Sequence, residues 1–269
     1  MPAEPMTMQF VLAPLAILAY LTATGLLVLD LRQRANLRNW AQLSGMLAIF
    51  FHAWVLVLHI PAAKGVDLNF FNAMALIGWS TALFLLLTSL VQPVISAGAV
   101  LFPMAAGTVL LTQLPISPLV LVLNSRYLDL HILFAMLAYS ALAIAALLAL
   151  VLWAQDKLLR HGRLSGVITR MPPLQTTEVL LFHTLFVGVA LLTIALAIGF
   201  VYMHDMFAQH LVHKTVFSIA SWLVFSALLL GRRLRGWRGP TAVRLTLSGM
   251  LLLILAYFGS KMVLELLLK

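Results

Sequence analysis

Asp129-Leu-His-Ile-Leu-Phe-Ala-Met-Leu-Ala-Tyr-Ser-Ala-Leu-Ala-Ile-Ala-Ala-Leu-Leu-Ala-Leu-Val-Leu-Trp153 carries a single acidic residue, at its first position, and no Lys or Arg. A helix crosses a bilayer with about 20 mainly apolar residues, and this stretch supplies them without interruption. It is apolar continuously rather than at every second position, which points to a helix and away from a barrel strand. Helices also satisfy their own backbone polar groups in lipid. Ala141, Ala145 and Ala149 form a small-residue stripe on one face, an ordinary surface for helix packing.

Similar runs recur along the chain. The reading predicts an all-α polytopic membrane protein, a single integral-membrane domain over residues 1–269. Its eight transmembrane helices fall at about 9–29, 40–60, 70–92, 94–114, 129–153, 178–203, 212–231 and 243–264. Pro103 marks a candidate kink in the fourth. The composition agrees: of 269 residues 63% are hydrophobic and 9% charged, and the mean hydropathy is +1.05. Soluble domains run near half apolar and a quarter charged, so a soluble enzyme, a disordered chain and a collagen-like chain are excluded. Met1 to Thr7 holds Glu4 and no basic residue. A cleaved secretory signal opens on a basic segment, so the first apolar run is expected to be a retained span.

The net charge of +9 has its simplest explanation in topology rather than in a nucleic-acid partner, and none is expected. With both termini outside, Arg32, Arg34, Arg38, Lys157, Arg160, Arg163, Arg170, Arg232, Arg233, Arg235, Arg238 and Arg244 face the cytoplasm. Lys64, Arg126, Lys214, Lys261 and Lys269 lie outside or at the outer rim. Twelve against five satisfies the positive-inside rule. Trp40, Trp153 and Trp237 then fall at the inner interface. Two inner loops stand out, 154–177 and 232–242. An outer segment, 115–128, is too short to span and too apolar for a free loop; it is expected to lie along the interface or fold over a site.

There is no cysteine, which excludes disulfides, thiol redox chemistry and haem attachment through a CxxCH motif. No Walker, GxSxG or HExxH motif occurs, and no acidic residue sits mid-span as a proton relay would. Catalytic residues are not assigned. The eight histidines are the informative feature. Ionisable groups within a membrane are costly and are functional candidates by default. His52 and His59 project from one face of the second span, His52 near mid-membrane and His59 at the rim. His52 is equally readable as a buried imidazole bonded to a neighbouring helix. His131 opens the fifth span and His213 the seventh, both from outside. If those helices are adjacent, the two imidazoles suit axial ligation of haem iron; otherwise both are interfacial residues bonded to head groups or water. Asp129 is a candidate to orient His131, although residues two apart on a helix do not face each other. A zinc site from His204, His210 and His213 matches no common spacing. Glu178 suits the start of the sixth helix, and Lys261 can pair with Glu265.

Several stretches carry a family resemblance: His131-Ile-Leu-Phe-Ala-Met-Leu-Ala-Tyr139, Met171-Pro-Pro-Leu-Gln-Thr-Thr-Glu-Val-Leu-Leu-Phe182, His213-Lys-Thr-Val-Phe217, Gly231-Arg-Arg-Leu-Arg-Gly-Trp-Arg-Gly239 and Ala256-Tyr-Phe-Gly-Ser-Lys-Met-Val-Leu-Glu265. With His52, they resemble the cytochrome c assembly membrane proteins, in the CcsA-related branch that includes HemX-like and YpjD-like proteins. The resemblance covers most of the chain and is sharpest from 129 to 265. It implies a multi-pass protein of the bacterial cytoplasmic (inner) membrane that handles haem at its outer face. In the synthase relatives an outer histidine opening a helix ligates haem, and His131 occupies that position. Two departures set the chain apart from the synthases. Tyr202-Met-His-Asp-Met-Phe-Ala-Gln-His-Leu-Val-His-Lys214 holds no Trp where they have a Trp-rich segment, and no histidine follows His213.

The resulting expectation is non-covalent haem b between His131 and His213, with His52 as an alternative ligand and Arg126 or Lys214 meeting the propionates. Haem and other membrane or cytochrome c assembly proteins are the expected partners. Two alternatives remain: a catalytically silent regulator or scaffold using the basic inner loops, and a transporter of haem or another small molecule.

Overall fold

The computed structural model describes residues 4–33, 36–62, 65–91, 94–115, 120–121, 126–160, 173–202 and 212–259. Eight α-helices account for most of them: α1 Glu4–Gln33, α2 Arg38–His59, α3 Phe70–Ser89, α4 Gly98–Leu111, α5 Arg126–Arg160, α6 Leu174–Tyr202, α7 Val212–Arg235 and α8 Gly239–Ile254. A 3-10 turn, Ile95–Ala97, precedes α4, and a π-helical turn, Leu255–Gly259, follows α8. Seven of these helices are long and apolar enough to cross a membrane. The expected span at 94–114 is helical only over Ile95–Leu111 and is shorter than the others.

The helices group into two compact units, one formed by Met1–Leu123 with Thr169–Met171, the other by Asn124–Ile168 with Pro172–Lys269. In the first, α1 and α3 each pack on both α2 and α4. Side chains bond the helices through main-chain carbonyls: Ser44 Oγ donates to Ala19 O at 2.8 Å and Trp79 Nε1 to Ile49 O at 3.0 Å. Such bonds satisfy polar groups that lipid cannot. The turn between α1 and α2 places Asn36 at a φ of +50°, a conformation Asn tolerates better than most residues. Asp30 closes that turn, accepting from Leu37 N at 3.0 Å and pairing with Arg38 Nε at 3.2 Å.

A polar side chain also ties α3 to the end of α2, Asn72 Nδ2 donating to His59 O at 3.4 Å. Asn69 caps α3 by accepting from Asn72 N at 3.0 Å, and Asn72 Nδ2 donates to Asp67 O at 3.0 Å. Between these helices lie strands β1 Pro61–Ala62 and β2 Gly65–Asp67, antiparallel to each other, and β2 pairs antiparallel with β3 Val120–Leu121. The middle of the apolar segment 115–128 is therefore an edge strand on a small sheet, paired along one side with β2. Residues 126–128 open α5, and 116–119 and 122–125 lie outside the described residues.

In the second unit α5 and α7 each pack on both α6 and α8. Ala141, Ala145 and Ala149 are fully buried, consistent with their reading as a packing stripe. On α6, Gly188 leaves no room for a side chain against Leu142. Tyr139 Oη donates to Leu253 O, and Ser221 Oγ to Gly249 O at 2.7 Å. Both basic loops are shorter than expected. α5 continues through 154–160, helped by the Asp156–Arg160 pair at 3.0 Å and by cations that favour a helix C-terminus. α7 runs on to Arg235, and α8 begins at Gly239. Gly236, at a φ of +68°, ends α7 in the left-handed conformation glycine adopts freely, and Trp237 N returns to Gly231 O at 3.2 Å. Apolar side chains such as Val57, Phe186 and Leu234 are exposed, as a lipid-facing surface requires.

Candidate functional site

His131 lies in the second turn of α5, one turn beyond Tyr127, and both face the last turns of α6. Tyr127 and Tyr202 stack with ring centroids 3.7 Å apart and planes within 5°. His131 Nδ1 lies 2.8 Å from Ala195 O. A carbonyl only accepts, so Nδ1 carries the proton, and in the neutral imidazole the lone pair is on Nε2. A metal-binding histidine is usually held in this way, its second ring nitrogen donating to a carbonyl or carboxylate. The group orienting His131 is therefore the α6 backbone. Asp129, the candidate from the sequence, is exposed; two positions along a helix is a turn of about 200°, which points it away.

His213 is exposed in the first turn of α7. α6 ends at Tyr202 and α7 begins at Val212, so His131 and His213 open their helices at the same end of the second unit. Their helices share α6 and α8 as packing neighbours rather than being one another's main contact. His183 is exposed on α6. His161, His204 and His210 lie outside the described residues, as do Lys261 and Glu265, and with them the zinc reading and that ion pair. Among the described residues, no group of three or more His, Cys, Asp and Glu side chains is placed to hold a metal.

His52, in the first unit, is fully buried. Its Nδ1 is 3.2 Å from Tyr20 Oη, with the two rings edge to face, while Nε2 is buried without a hydrogen-bond partner. An orphan of this kind is rare and calls for an explanation. His59 Nδ1 lies 2.9 Å from Val55 O, one turn back on its own helix.

At the opposite end of the second unit Glu178 does more than complement a helix start. Its Oε1 accepts from Arg232 Nη1 at 2.6 Å and lies 3.5 Å from Arg238 Nε. The Arg232 guanidinium also lies over Phe182, 4.6 Å from the ring centroid. This pairing links α6 to α7 and to the start of α8. Sequence reasoning missed it, as it missed the Tyr127–Tyr202 stack. A Tyr four residues before a helix-opening His was the available sign of the latter.

The family described as Cytochrome C assembly protein matches residues 40–268. The chain is similar to the inner membrane protein YpjD of Escherichia coli strain K12, with 34% identity over 269 residues, 95% of this chain and 98% of that one. An uncharacterized 28.8 kDa protein of Azospirillum brasilense is 35% identical over 144 residues, 53% of each chain. The cytochrome c biogenesis protein CcsA of Synechococcus sp. strain CC9902 is 24% identical over 221 residues, 71% of this chain and 73% of that one. No solved structure matches.

Proposed function

We infer a haem-handling role from one premise: this chain belongs to the cytochrome c assembly protein family. It is a multi-pass protein of the bacterial inner membrane, where its relative YpjD is named as residing. In this reading both termini face outward, and the His131 end of the second unit lies at the outer face.

The observation that carries the proposal is the bond from His131 Nδ1 to Ala195 O. It fixes the ring and leaves Nε2 as an available ligand nitrogen, so the residues fit an iron porphyrin. When bound, haem b would supply a redox-active iron. His131 and His213 would hold the iron, and Lys214 or Arg126 at the same helix openings would meet the propionates. The stacked Tyr127 and Tyr202 fix the helix end that carries His131. The buried, unpartnered Nε2 of His52 supports a second ligand position within the first unit. Other cytochrome c assembly components are the natural partners.

Protein purified in detergent from haem-replete membranes is expected to show a Soret band that shifts on reduction. His131→Ala with His213→Ala is expected to abolish it, and His52→Ala tests the deeper position separately. Absence of haem from the wild type refutes the reading; unchanged haem in the double variant removes these two ligands. A second reading, a non-catalytic scaffold, is favoured by the exposed Arg233 and Arg235 beside the Glu178 pairing. It predicts a partner crosslinked at that end and haem-free protein.

A further inference from the structure

A cavity of about 550 Å3 opens between the last turns of α5 and the first turns of α8, all within the second unit. Val243 and Leu247 are among its apolar lining residues, and Trp153 stands beside them. Lys157, Arg160 and Arg244 bring three cations to it against one carboxylate, Asp156. The sequence explanation of these cations is topology alone, which requires no groove. Here the cations border an apolar cavity, and the order from apolar side chains through an indole to basic groups is the order from acyl chain through interface to headgroup in a bilayer.

The local geometry supports that order. Trp153, Lys157 and Arg160 follow at i, i+4 and i+7 and share a face of α5. Lys157 Nζ sits 5.1 Å from the Trp153 ring centroid, which holds the ammonium at the level of the indole. Arg160 is bridged to Asp156, and the three cations of the lining outnumber its one carboxylate whichever of them it pairs with. Arg244 is exposed on the second turn of α8. The first turn of α8 has no acidic residue, so no carboxylate there offsets Arg244.

We propose that this groove binds an anionic phospholipid of the inner leaflet, with an acyl chain along Val243, Leu247 and Trp153 and the phosphate against Lys157 and Arg244. The occupant is a lipid rather than free phosphate because the lining is apolar where a chain would lie, and anionic rather than zwitterionic because the surplus charge is positive.

The full chain in detergent is titrated with phosphatidylglycerol and with phosphatidylcholine of the same acyl chains, and bound lipid is counted by native mass spectrometry. The first phosphatidylglycerol is expected to bind on the order of tenfold tighter, since each basic residue near a lipid surface contributes a few-fold. Lys157→Gln with Arg244→Gln is expected to erase that preference. Arg233→Gln, exposed and outside the groove, is expected to keep it. Arg244→Gln alone, at an exposed site that does not threaten folding, is expected to remove part of it. Leu247→Trp, which fills the groove and leaves the cations, is expected to weaken both lipids. Equal binding of the two lipids by the wild type overturns the proposal. So does an Arg233→Gln loss as large as that of the double variant, or displacement of the lipid by excess inorganic phosphate.

Discussion

Gly188→Ala perturbs the α5–α6 contact that also positions His131. An added Cβ would stand 2.7 Å from both Cδ2 and Cγ of Leu142 and 3.3 Å from its backbone N. Carbon pairs rest at about 3.5–4.0 Å, so roughly 1 Å must be made. Leu142 is fully buried and has no open space to rotate into. Overpacking of this kind costs about 1–3 kcal/mol, offset by about 1 kcal/mol of helix propensity on replacing Gly with Ala. The net expected loss is about 1 kcal/mol. Leu142→Ala opens a void instead. Lipid is as apolar as leucine, so most of the transfer term drops out and the cost falls near the low end of the usual 2–5 kcal/mol, about 2. In the double variant the new methyl enters that void. Its stability is expected to be no lower than that of Leu142→Ala alone, a coupling of about 1 kcal/mol or more.

The same variants report on the site. Ala195 lies two turns beyond Gly188 on the same face of α6, and His131 three turns before Leu142 on the same face of α5. Forcing the helices apart stretches the His131–Ala195 bond, and loss of such an orienting partner weakens metal binding by about 10–100-fold. Unfolding in mixed micelles, followed by circular dichroism, measures the stabilities, and the Soret absorbance of haem-loaded protein measures the site. Strict additivity, or a Gly188→Ala protein more stable than the wild type, refutes the reasoning.

Glu178→Gln retains a hydrogen-bond acceptor for Arg232 and removes the charge. With both side chains largely shielded, and allowing for residual solvent screening, a loss of about 1–2 kcal/mol is expected in the same assay; an unchanged midpoint would show the pair to be idle. Tyr20→Phe leaves both ring nitrogens of buried His52 without a partner and is expected to cost about 1–3 kcal/mol. Adding His52→Leu should recover much of it, because replacing both partners removes the desolvation penalty; no recovery would point to another role for the tyrosine. Gly231→Ala places a methyl into the Trp237 indole. A changed Trp237 emission relative to a Trp237→Phe control is expected, and identical difference spectra would contradict the contact.

The helices were legible because lipid demands long apolar runs, and each expected span overlaps a helix. Their ends were less so. Charged residues normally mark where a span leaves the membrane, but Asp156, Lys157 and Arg160 continue α5 through a local ion pair. The 115–128 segment was ambiguous because apolar side chains do not reveal which backbone groups they pair with. His131, His213 and His52 could be singled out as polar residues in or beside apolar helices. What holds them could not: the acceptor for His131 is a main-chain carbonyl 64 positions away, and main-chain groups leave no mark in a sequence. Tyr20 was invisible as a partner of His52 for a related reason, since tyrosine in a span is equally at home as packing.

The helix α4 and its leading 3-10 turn cover Ile95–Leu111, a rise of roughly 25 Å against a hydrocarbon thickness of about 30 Å. Val100, Met104 and Leu110 are exposed along it. On the proposed eight-span reading, a bilayer beside α4 would pinch by several ångströms, or let its headgroups sag toward the helix ends, at a modest elastic cost. On that reading the first unit would set a dimple in the bilayer, and the protein would favour thinner membranes over thicker ones on that flank.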